Sequence, residues 1–386
     1  MRILIVHNRY QRMGGEDTVV QMERVALVNA GHDVSIFEVT NDDIFGFTQK
    51  LCVAVKVSGS STFEGAFMNA VRDFNPDIVH IHNFFPLLSP RVHLWARSIG
   101  VGVVQTLHNF RLICGAGTFL RDGAICEKCL DGSSLNGVRH ACYRESRLGS
   151  LSVLSFQRAT RFSDKWLGSV DRFICLTEFA RQKFVRAGLP ERRVVVKPNF
   201  VVDSKLWDPA VSRNGRVLFV GRLTVEKGVV DYLRVAKELP EVSFDIIGDG
   251  PEINWIANNK SKNVTLHGWK SPDAVSAALG NASLLVLPSR WYEGFPMTLV
   301  EAMSVGTPIV ASDLGAMSEI LRGRNFAKLF PVGNIMKMRD CILDVLGDCS
   351  GAKFLAAREE YLECYSEGVN VRQLERIYFD ALGSGL

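Results

Sequence analysis

Short runs of aliphatic and β-branched residues alternate with amphipathic stretches along the whole chain, the pattern of parallel-sheet α/β units. In the first half the pattern predicts strands near Arg2–Val6, Asp33–Glu38, Asp77–Ile81, Val101–Leu107 and Arg172–Leu176. Helices are predicted over Glu16–Ala30, Thr62–Phe74, Pro90–Ile99 and Glu178–Ala187. The pattern restarts after Asn199, with strands near Val217–Val220, Phe244–Ile247, Val264–His267, Leu284–Leu287 and Pro308–Ala311. Helices over Val229–Leu239, Pro251–Asn259, Pro272–Leu279 and Pro296–Val305 separate them, and Val371–Leu382 closes the chain. Two successive arrays predict two Rossmann-like α/β domains facing across a cleft. Lys197–Pro209, with two prolines and no clear period, is the expected linker.

Bulk properties agree with two domains, since 386 residues exceed the ~100–200 of a typical single one. The chain is 47% hydrophobic and 22% charged, and its net charge is only +4, so any basic surface must be local. No apolar run approaches the roughly 18 residues that span a bilayer. The start, MRILIVHNRY, reads as a strand rather than a signal peptide. A cytoplasmic location is expected. Nine cysteines, an odd number, argue against a disulfide framework and for thiols or a metal site.

In open α/β sheets, ligands bind beyond the carboxyl ends of the strands. After the first strand, His7–Asp17 carries Gly14-Gly15, which permits close backbone approach at a helix start or simply turns a corner. His80 and His82 share a strand face, but no third metal ligand is evident nearby. His108 ends the fourth strand, placed to bond a substrate hydroxyl or a developing charge; a satisfied structural histidine is the plainer alternative.

Cys114, Cys126, Cys129 and Cys142 follow C-x11-C-x2-C-x12-C spacing in a glycine-rich stretch. Two readings stand: a structural zinc, with His140 as a substitute ligand, or unligated thiols. Beyond them Arg139, Arg144, Arg147, Arg158, Arg161 and Lys165 interleave with Leu148, Leu151, Val153, Leu154 and Phe156. Such a helix suits an anionic membrane surface, or is an ordinary amphipathic helix with a solvated face. No aromatic-basic platform speaks for nucleic acid.

In the second half, Gly221-Arg222 and Glu226-Lys227-Gly228 follow a strand and open a helix. Arg222 offers a fork and Lys227 a point charge for a diphosphate, with Glu226 placed to hold one of them. Gly248-Asp249-Gly250-Pro251 and Gly268-Trp269 end the next two strands, as a base slot or as plain turns. Glu293 and Glu301 then flank Gly294-Phe295-Pro296 and the helix start at Met297 and Thr298. Pro296 suits the first helical position, and free N–H groups at 297–299 would attract an anion. Two carboxylates around an anion-attracting helix start suit a nucleotide sugar. No aspartate-rich metal motif stands out, so catalysis is expected to need no divalent ion.

Taken together these motifs resemble family 4 glycosyltransferases, the retaining group with the GT-B architecture. The carriers are Gly14-Gly15, His108, Gly221-Arg222 with Glu226-Lys227, and Glu293-x7-Glu301, over nearly the whole chain. The stretch Thr106–Cys142 is similar to a bacterial subset acting in surface-polysaccharide assembly. The resemblance implies residues 1–199 as an acceptor-binding domain with a Cys-containing insertion at about 112–145, and residues 200–366 as the donor-binding domain. It further implies that a helix at 367–386 crosses back to the N-terminal domain. By the same resemblance Glu301 binds the ribose and Glu293 the donor sugar, with backbone contacts from Gly294, Phe295 and Pro296. Arg222 and Lys227 neutralise the diphosphate, Gly15 approaches it, and His108 bonds the sugar near the reacting carbon.

The expected reaction moves a hexose-type sugar from a UDP- or GDP-sugar to a glycan, here a lipid-linked oligosaccharide, by an enzyme in peripheral contact with the inner membrane surface. Arg290-Trp291-Tyr292 departs from the small residues usual before the first glutamate. Two other readings compete: a nucleotide-sugar 2-epimerase of the same architecture, and an inactive scaffold with a zinc-binding interaction module.

Overall fold

The computed structural model describes residues 1–11, 14–41, 52–53, 55–209, 213–348 and 351–383. Arg12 and Met13 of the first loop therefore lie outside the described residues. The chain divides into two compact units. One takes in Met1–Arg121, Cys126–Asn199 and Asn370–Leu386; the other takes in Phe200–Val369 with Asp122–Ile125.

The first unit is built on β1 (Arg2–Arg9), β2 (Asp33–Thr40), β3 (Ile78–Asn83) and β4 (Gly102–Leu107). The two-residue strands β5 (Leu120–Arg121) and β6 (Ala124–Ile125) follow, then β7 (Arg172–Cys175) and β8 (Val194–Val196). Its six-stranded sheet runs β2-β1-β3-β4-β7-β8, and the pairings are parallel. Parallel strands are covered on both faces, which is why Ile3, Ile5, Ile78, Val104 and Ile174 are all buried. The Glu367–Gly383 helix completes that core with Leu374, Ile377, Tyr378 and Ala381, so this helix packs on the first unit.

The second unit carries β9 (Val217–Val220), β10 (Phe244–Ile247), β11 (Val264–Leu266), β12 (Leu284–Leu287), β13 (Ile309–Ser312) and β14 (Ala327–Phe330). They pair in the order β11-β10-β9-β12-β13-β14, again in parallel. This is the doubly wound order whose direction reverses between the first and fourth strands, here β9 and β12. Ligands bind at that reversal, so the loops after β9 and β12 are the place to look.

The structure corrects the sequence reading at several points. β8 and β14 were not predicted, nor were the helices Gly315–Leu321, Ile335–Gly347 and Ala352–Cys364. The strand β14 leaves Lys328 exposed, and so breaks the apolar run that marks the others. Lys197 is no linker residue: it is 1% exposed inside the first unit, and the passage to the second falls between Asn199 and Phe200. In the second unit Val201 and Asp203 are tied down by Tyr361 and Arg358. The last helix begins at Glu367, four residues before the predicted Val371.

Candidate functional site

Three strand-end loops of the second unit are stitched together by backbone hydrogen bonds. Gly221 and Gly248 donate to the carbonyls of Ile247 and Gly268, and Leu223 donates to Asp249. The glycines are needed for this contact. A Cβ on Gly248 would lie 1.9 Å from the Gly221 carbonyl oxygen, and one on Gly250 would lie 2.4 Å from that of Leu223. Close approach by the chain's own backbone therefore accounts for Gly248 and Gly250 without a base. Trp269, beside Gly268, is 72% exposed.

At the reversal point, the loop after β9 forms a 3-10 turn over Val225–Lys227 and then reaches Gly228 at φ +77°. A Cβ on Gly228 would lie 1.9 Å from the Pro288 carbonyl oxygen, so the loops after β9 and β12 touch there. That contact brings Lys227 against Glu293, with Nζ 2.8 and 2.9 Å from the two carboxylate oxygens. Ser289 and the Trp291 indole N–H also donate to Glu293 Oε1, at 2.7 and 2.8 Å. Lys227 lies 5.6 Å from the Trp291 ring centre. Burial opposes the charge of Glu293, but Lys227, Ser289 and Trp291 outweigh it and hold its carboxyl below the usual range. The lysine's carboxylate partner is thus Glu293, not Glu226, whose carbonyl instead receives the Arg290 N–H.

Arg290 forks onto buried Asp231 at 2.6 and 2.7 Å, which anchors the Arg290–Glu293 loop to the Val229–Glu238 helix. Arg222 is exposed and, among the described residues, makes no ion pair. Two cations thus differ: one is held on a carboxylate and one is free to turn toward an anion.

The following helix runs Met297–Ser304 with Pro296 as its N-cap, one residue later than predicted. The Leu299 N–H is taken by the Pro296 carbonyl at 3.0 Å, so it is not one of the free donors expected at 297–299. The Glu301 carbonyl accepts from Ser304 Oγ at 2.7 Å, whereas its carboxyl has no hydrogen-bond partner among the described residues, and burial raises its pKa. A largely covered carboxyl without a donor suits a ligand hydroxyl.

In the first unit, Gly14 caps the Gly15–Asn29 helix, and its N–H donates to Asp17 Oδ2 at 2.7 Å. Asp17 Oδ1 also meets His7 Nε2 at 2.7 Å. Beside this loop Tyr10 donates to Glu16 at 3.2 Å, and burial raises the Glu16 pKa to about 7. His108 lines a cavity with His82, Asn83, Phe85, Asn109 and Arg111. His108 Nε2 lies 2.9 Å from His82 Nδ1.

Behind it is a buried polar cluster that local sequence reading missed. Glu23 Oε1 lies 3.3 Å from both His80 Nδ1 and His82 Nε2. Lys197 Nζ lies 2.8 Å from Glu23 Oε2 and 3.0 Å from Asn370 Oδ1. His80 also contacts Tyr378 and Thr106, each at 2.8 Å. Glu23, His80 and His82 are the one group of metal-type ligands within 4.8 Å of each other among the described residues. The third ligand that the histidines lacked in sequence is thus present, but the Lys197 ammonium already supplies its positive charge. The overlooked signal was the position of Glu23 on the apolar stripe Val19, Val20, Ala26 and Leu27.

The four cysteines are free thiols. A tetrahedral zinc would hold their sulfurs about 3.8 Å apart. No three of the four meet even a 4.8 Å limit among the described residues, so they do not fit that ion as they stand. Burial and the neighbouring cysteines push the Cys129 and Cys142 thiols up. His140 meets Arg121 at 2.8 Å.

The basic stretch is also divided. On the Arg147–Ala159 helix, Val153, Leu154 and Phe156 face the core, while Leu148 and Leu151 are 72% and 47% exposed. Arg161 is buried on Ser134 at 2.8 Å and is not available to a surface. No helix among the described residues is long and apolar enough to cross a membrane.

Two doubly wound units, one with a cation–carboxylate pair at its reversal point, define an α/β protein of the GT-B kind. Residues 13–205 match the family described as Glycosyltransferase Family 4, and residues 214–348 match Glycosyl transferases group 1. The chain belongs to the family 4 glycosyltransferases. It is 30% identical over 200 residues to alpha-galactosylglucosyldiacylglycerol synthase of Streptococcus pneumoniae, covering 45% of this chain and 53% of that one. It spans about half to two thirds of the length of the curated relatives it matches. Among solved structures, sucrose-phosphate synthase from Thermosynechococcus elongatus aligns with a TM-score of 0.73 at 17% identity, over 99% of each chain. Anabaena HepE in complex with UDP-glucose aligns at 0.67 and 16% identity, over 97% of this chain and 98% of that one. At these identities the likeness is one of fold.

Proposed function

We propose that the chain is a retaining glycosyltransferase that moves a hexose-type sugar from a nucleoside diphosphate sugar to an acceptor hydroxyl. The Lys227–Glu293 pair at the reversal between β9 and β12 carries this reading. In it the second unit, taken as residues 200–366, holds the donor, and residues 1–199 hold the acceptor. Glu301, whose carboxyl has no partner among the described residues, takes the ribose hydroxyls, and Glu293 takes the sugar. Lys227 is shared between Glu293 and the diphosphate once the donor is bound, while free Arg222 turns onto the phosphates. These fixed cations meet the charge that develops on the leaving group. The donor phosphate oxygen takes the acceptor's proton on the same face, with no divalent ion in the step.

UDP is the first nucleotide to try, since the Anabaena structure of like fold holds UDP-glucose. For the acceptor, a glycan on a lipid carrier in surface-polysaccharide synthesis is favoured by two points. The pneumococcal relative is named for a glycolipid product, and Leu148 and Leu151 are exposed beside Arg144 and Arg147. That surface would rest peripherally on the cytoplasmic face of the membrane.

Calorimetric titration with UDP-glucose, UDP-galactose and GDP-mannose, repeated on Glu301→Ala, tests the donor. Saturable binding by the wild type, weakened at least tenfold in the variant, supports the reading. Absence of binding to any of them, or equal binding by the variant, overturns it. Incubation with donor alone separates transfer from 2-epimerisation, which needs no acceptor.

A further inference from the structure

We propose that His82, facing the Glu23 carboxylate, is a positioning residue that fixes the tautomer of His108, leaving His108 Nδ1 as a bare acceptor for a ligand hydroxyl. The chain of contacts runs Lys197 to Glu23 at 2.8 Å, Glu23 to His82 Nε2 at 3.3 Å, and His82 Nδ1 to His108 Nε2 at 2.9 Å.

The direction of each hydrogen follows from the charged end. Burial opposes ionisation of Glu23, but Lys197 and the two histidines outweigh it and hold its carboxyl well below the usual range. Glu23 Oε1 and His82 Nε2 approach to 3.3 Å without the angle of a hydrogen bond. A nitrogen lone pair turned on a carboxylate would be repelled, however, so the His82 nitrogen facing Glu23, Nε2, carries the hydrogen. Burial and His80 together keep His82 neutral, so its Nδ1 is a lone pair. His108 Nε2 faces that lone pair and therefore donates to it. Burial keeps His108 neutral as well, and its single hydrogen is already placed.

His108 Nδ1 is left with no protein partner among the described residues, and it is not among the side-chain atoms shut away from solvent. It borders the cavity formed with Asn83, Phe85 and Arg111. The charged or titratable groups facing His82 are His7, His80, Glu23 and His108, and none competes for Nδ1. An imidazole with a bare nitrogen accepts from a hydroxyl; it does not donate to a developing negative charge. That narrows the two roles open to His108 in the sequence to the first. The identity of the hydroxyl as a sugar's rests on the proposed glycosyl transfer; the tautomer does not.

The test is two-bond proton–nitrogen correlation NMR on protein labelled at the histidine rings, with calorimetric binding of UDP-glucose and GDP-mannose alongside. In the wild type at neutral pH, His108 is expected protonated at Nε2 and bare at Nδ1. His82→Asn, whose carbonyl oxygen replaces the accepting nitrogen, should keep that signature. His82→Leu should lose it and weaken the sugar nucleotide that binds by roughly tenfold, the worth of one hydrogen bond. A wild-type His108 protonated at Nδ1 overturns the proposal, as does His82→Leu with tautomer and affinity unchanged. If neither sugar nucleotide binds the wild type, the functional reading fails while the ring signature still decides the relay. If His82→Leu does not fold, the wild-type and His82→Asn spectra decide it.

Discussion

The Lys227 ammonium sits on both oxygens of Glu293, at 2.8 and 2.9 Å, and joins the loops after β9 and β12 before any ligand is present. Glu293 is buried and the lysine only partly so, and the carboxylate has Ser289 and Trp291 as further donors. The pair is therefore both a structural tie and part of the proposed donor site, and its two roles separate on mutation.

Lys227→Ala should leave a buried carboxylate short of its cation and destabilise the protein by about 1–3 kcal/mol. Adding Glu293→Gln should return part of that loss, because the uncompensated charge is gone. Urea denaturation of the two single variants and the double variant measures the coupling. Transfer activity should fall in Lys227→Ala by about 2–4 kcal/mol of transition-state stabilisation, and it should not return in the double variant. Additive stability effects would remove the tie.

The first unit's polar cluster should respond to single and paired changes in opposite ways. Lys197→Met alone leaves the buried Glu23 carboxylate without its cation and should cost about 3–5 kcal/mol. Lys197→Met with Glu23→Leu removes both charges and should cost less than the single change. Thermal unfolding of the three proteins gives the comparison.

Acid should loosen the first unit earlier than carboxylates alone would. Burial lowers the pKa of His82 to about 3 and of His93 to about 4. Between those values and the ordinary 6.5 the unfolded chain binds protons that the folded one refuses. Stability is thus lost as pH falls from 6.5, at up to about 1.4 kcal/mol per pH unit for each ring. Glu23 adds to the loss below the ordinary carboxylate range, since its folded pKa is depressed and its contribution holds only above that range. Urea midpoints measured from pH 7 to pH 4 check the slope, and a flat profile would contradict it.

Gly228→Ala should be among the costliest small substitutions in the chain. The new methyl group meets the Pro288 carbonyl at 1.9 Å in a left-handed backbone conformation. A loss of more than about 2 kcal/mol is expected, together with weakened nucleotide binding as Lys227 shifts from Glu293. Gly323→Ala shares the positive φ but has open space around it, and should cost only about 1 kcal/mol.

Leu148→Ser with Leu151→Ser should reduce sedimentation with anionic phosphatidylglycerol vesicles and leave the melting temperature within a degree or two. Both side chains are exposed, so little core packing is lost. Unchanged vesicle binding would remove this helix from the proposed membrane surface.

Most of the sheet was legible because parallel strands are covered on both faces and read as apolar runs. The missed strand β14 carries an exposed lysine, and the missed β8 is only three residues long. At the candidate site, residue type and position near strand ends and a helix start made Lys227, Glu293, Glu301 and His108 candidates. Their partners were not legible, because pairing depends on which loops the fold brings together. Lys227 pairs across 66 residues with Glu293 rather than with its neighbour Glu226. Lys197 pairs across 174 residues with Glu23, which no local pattern could connect.

The Glu367–Gly383 helix gives the protein an order of assembly. Leu374, Ile377 and Tyr378 belong to the core begun by Ile3 and Ile5, and Asn370 holds Lys197 and the Pro198 carbonyl. On the ribosome the first sheet emerges early but lacks this cover until the Glu367–Gly383 helix is made. The second unit, contiguous in chain apart from four residues, can close its own core sooner. Translation thus leaves the earlier-made half waiting on the later one, with its histidine cluster still open to water. A nascent chain stalled before Glu367 would be a substrate for chaperones and proteases at its amino-terminal half.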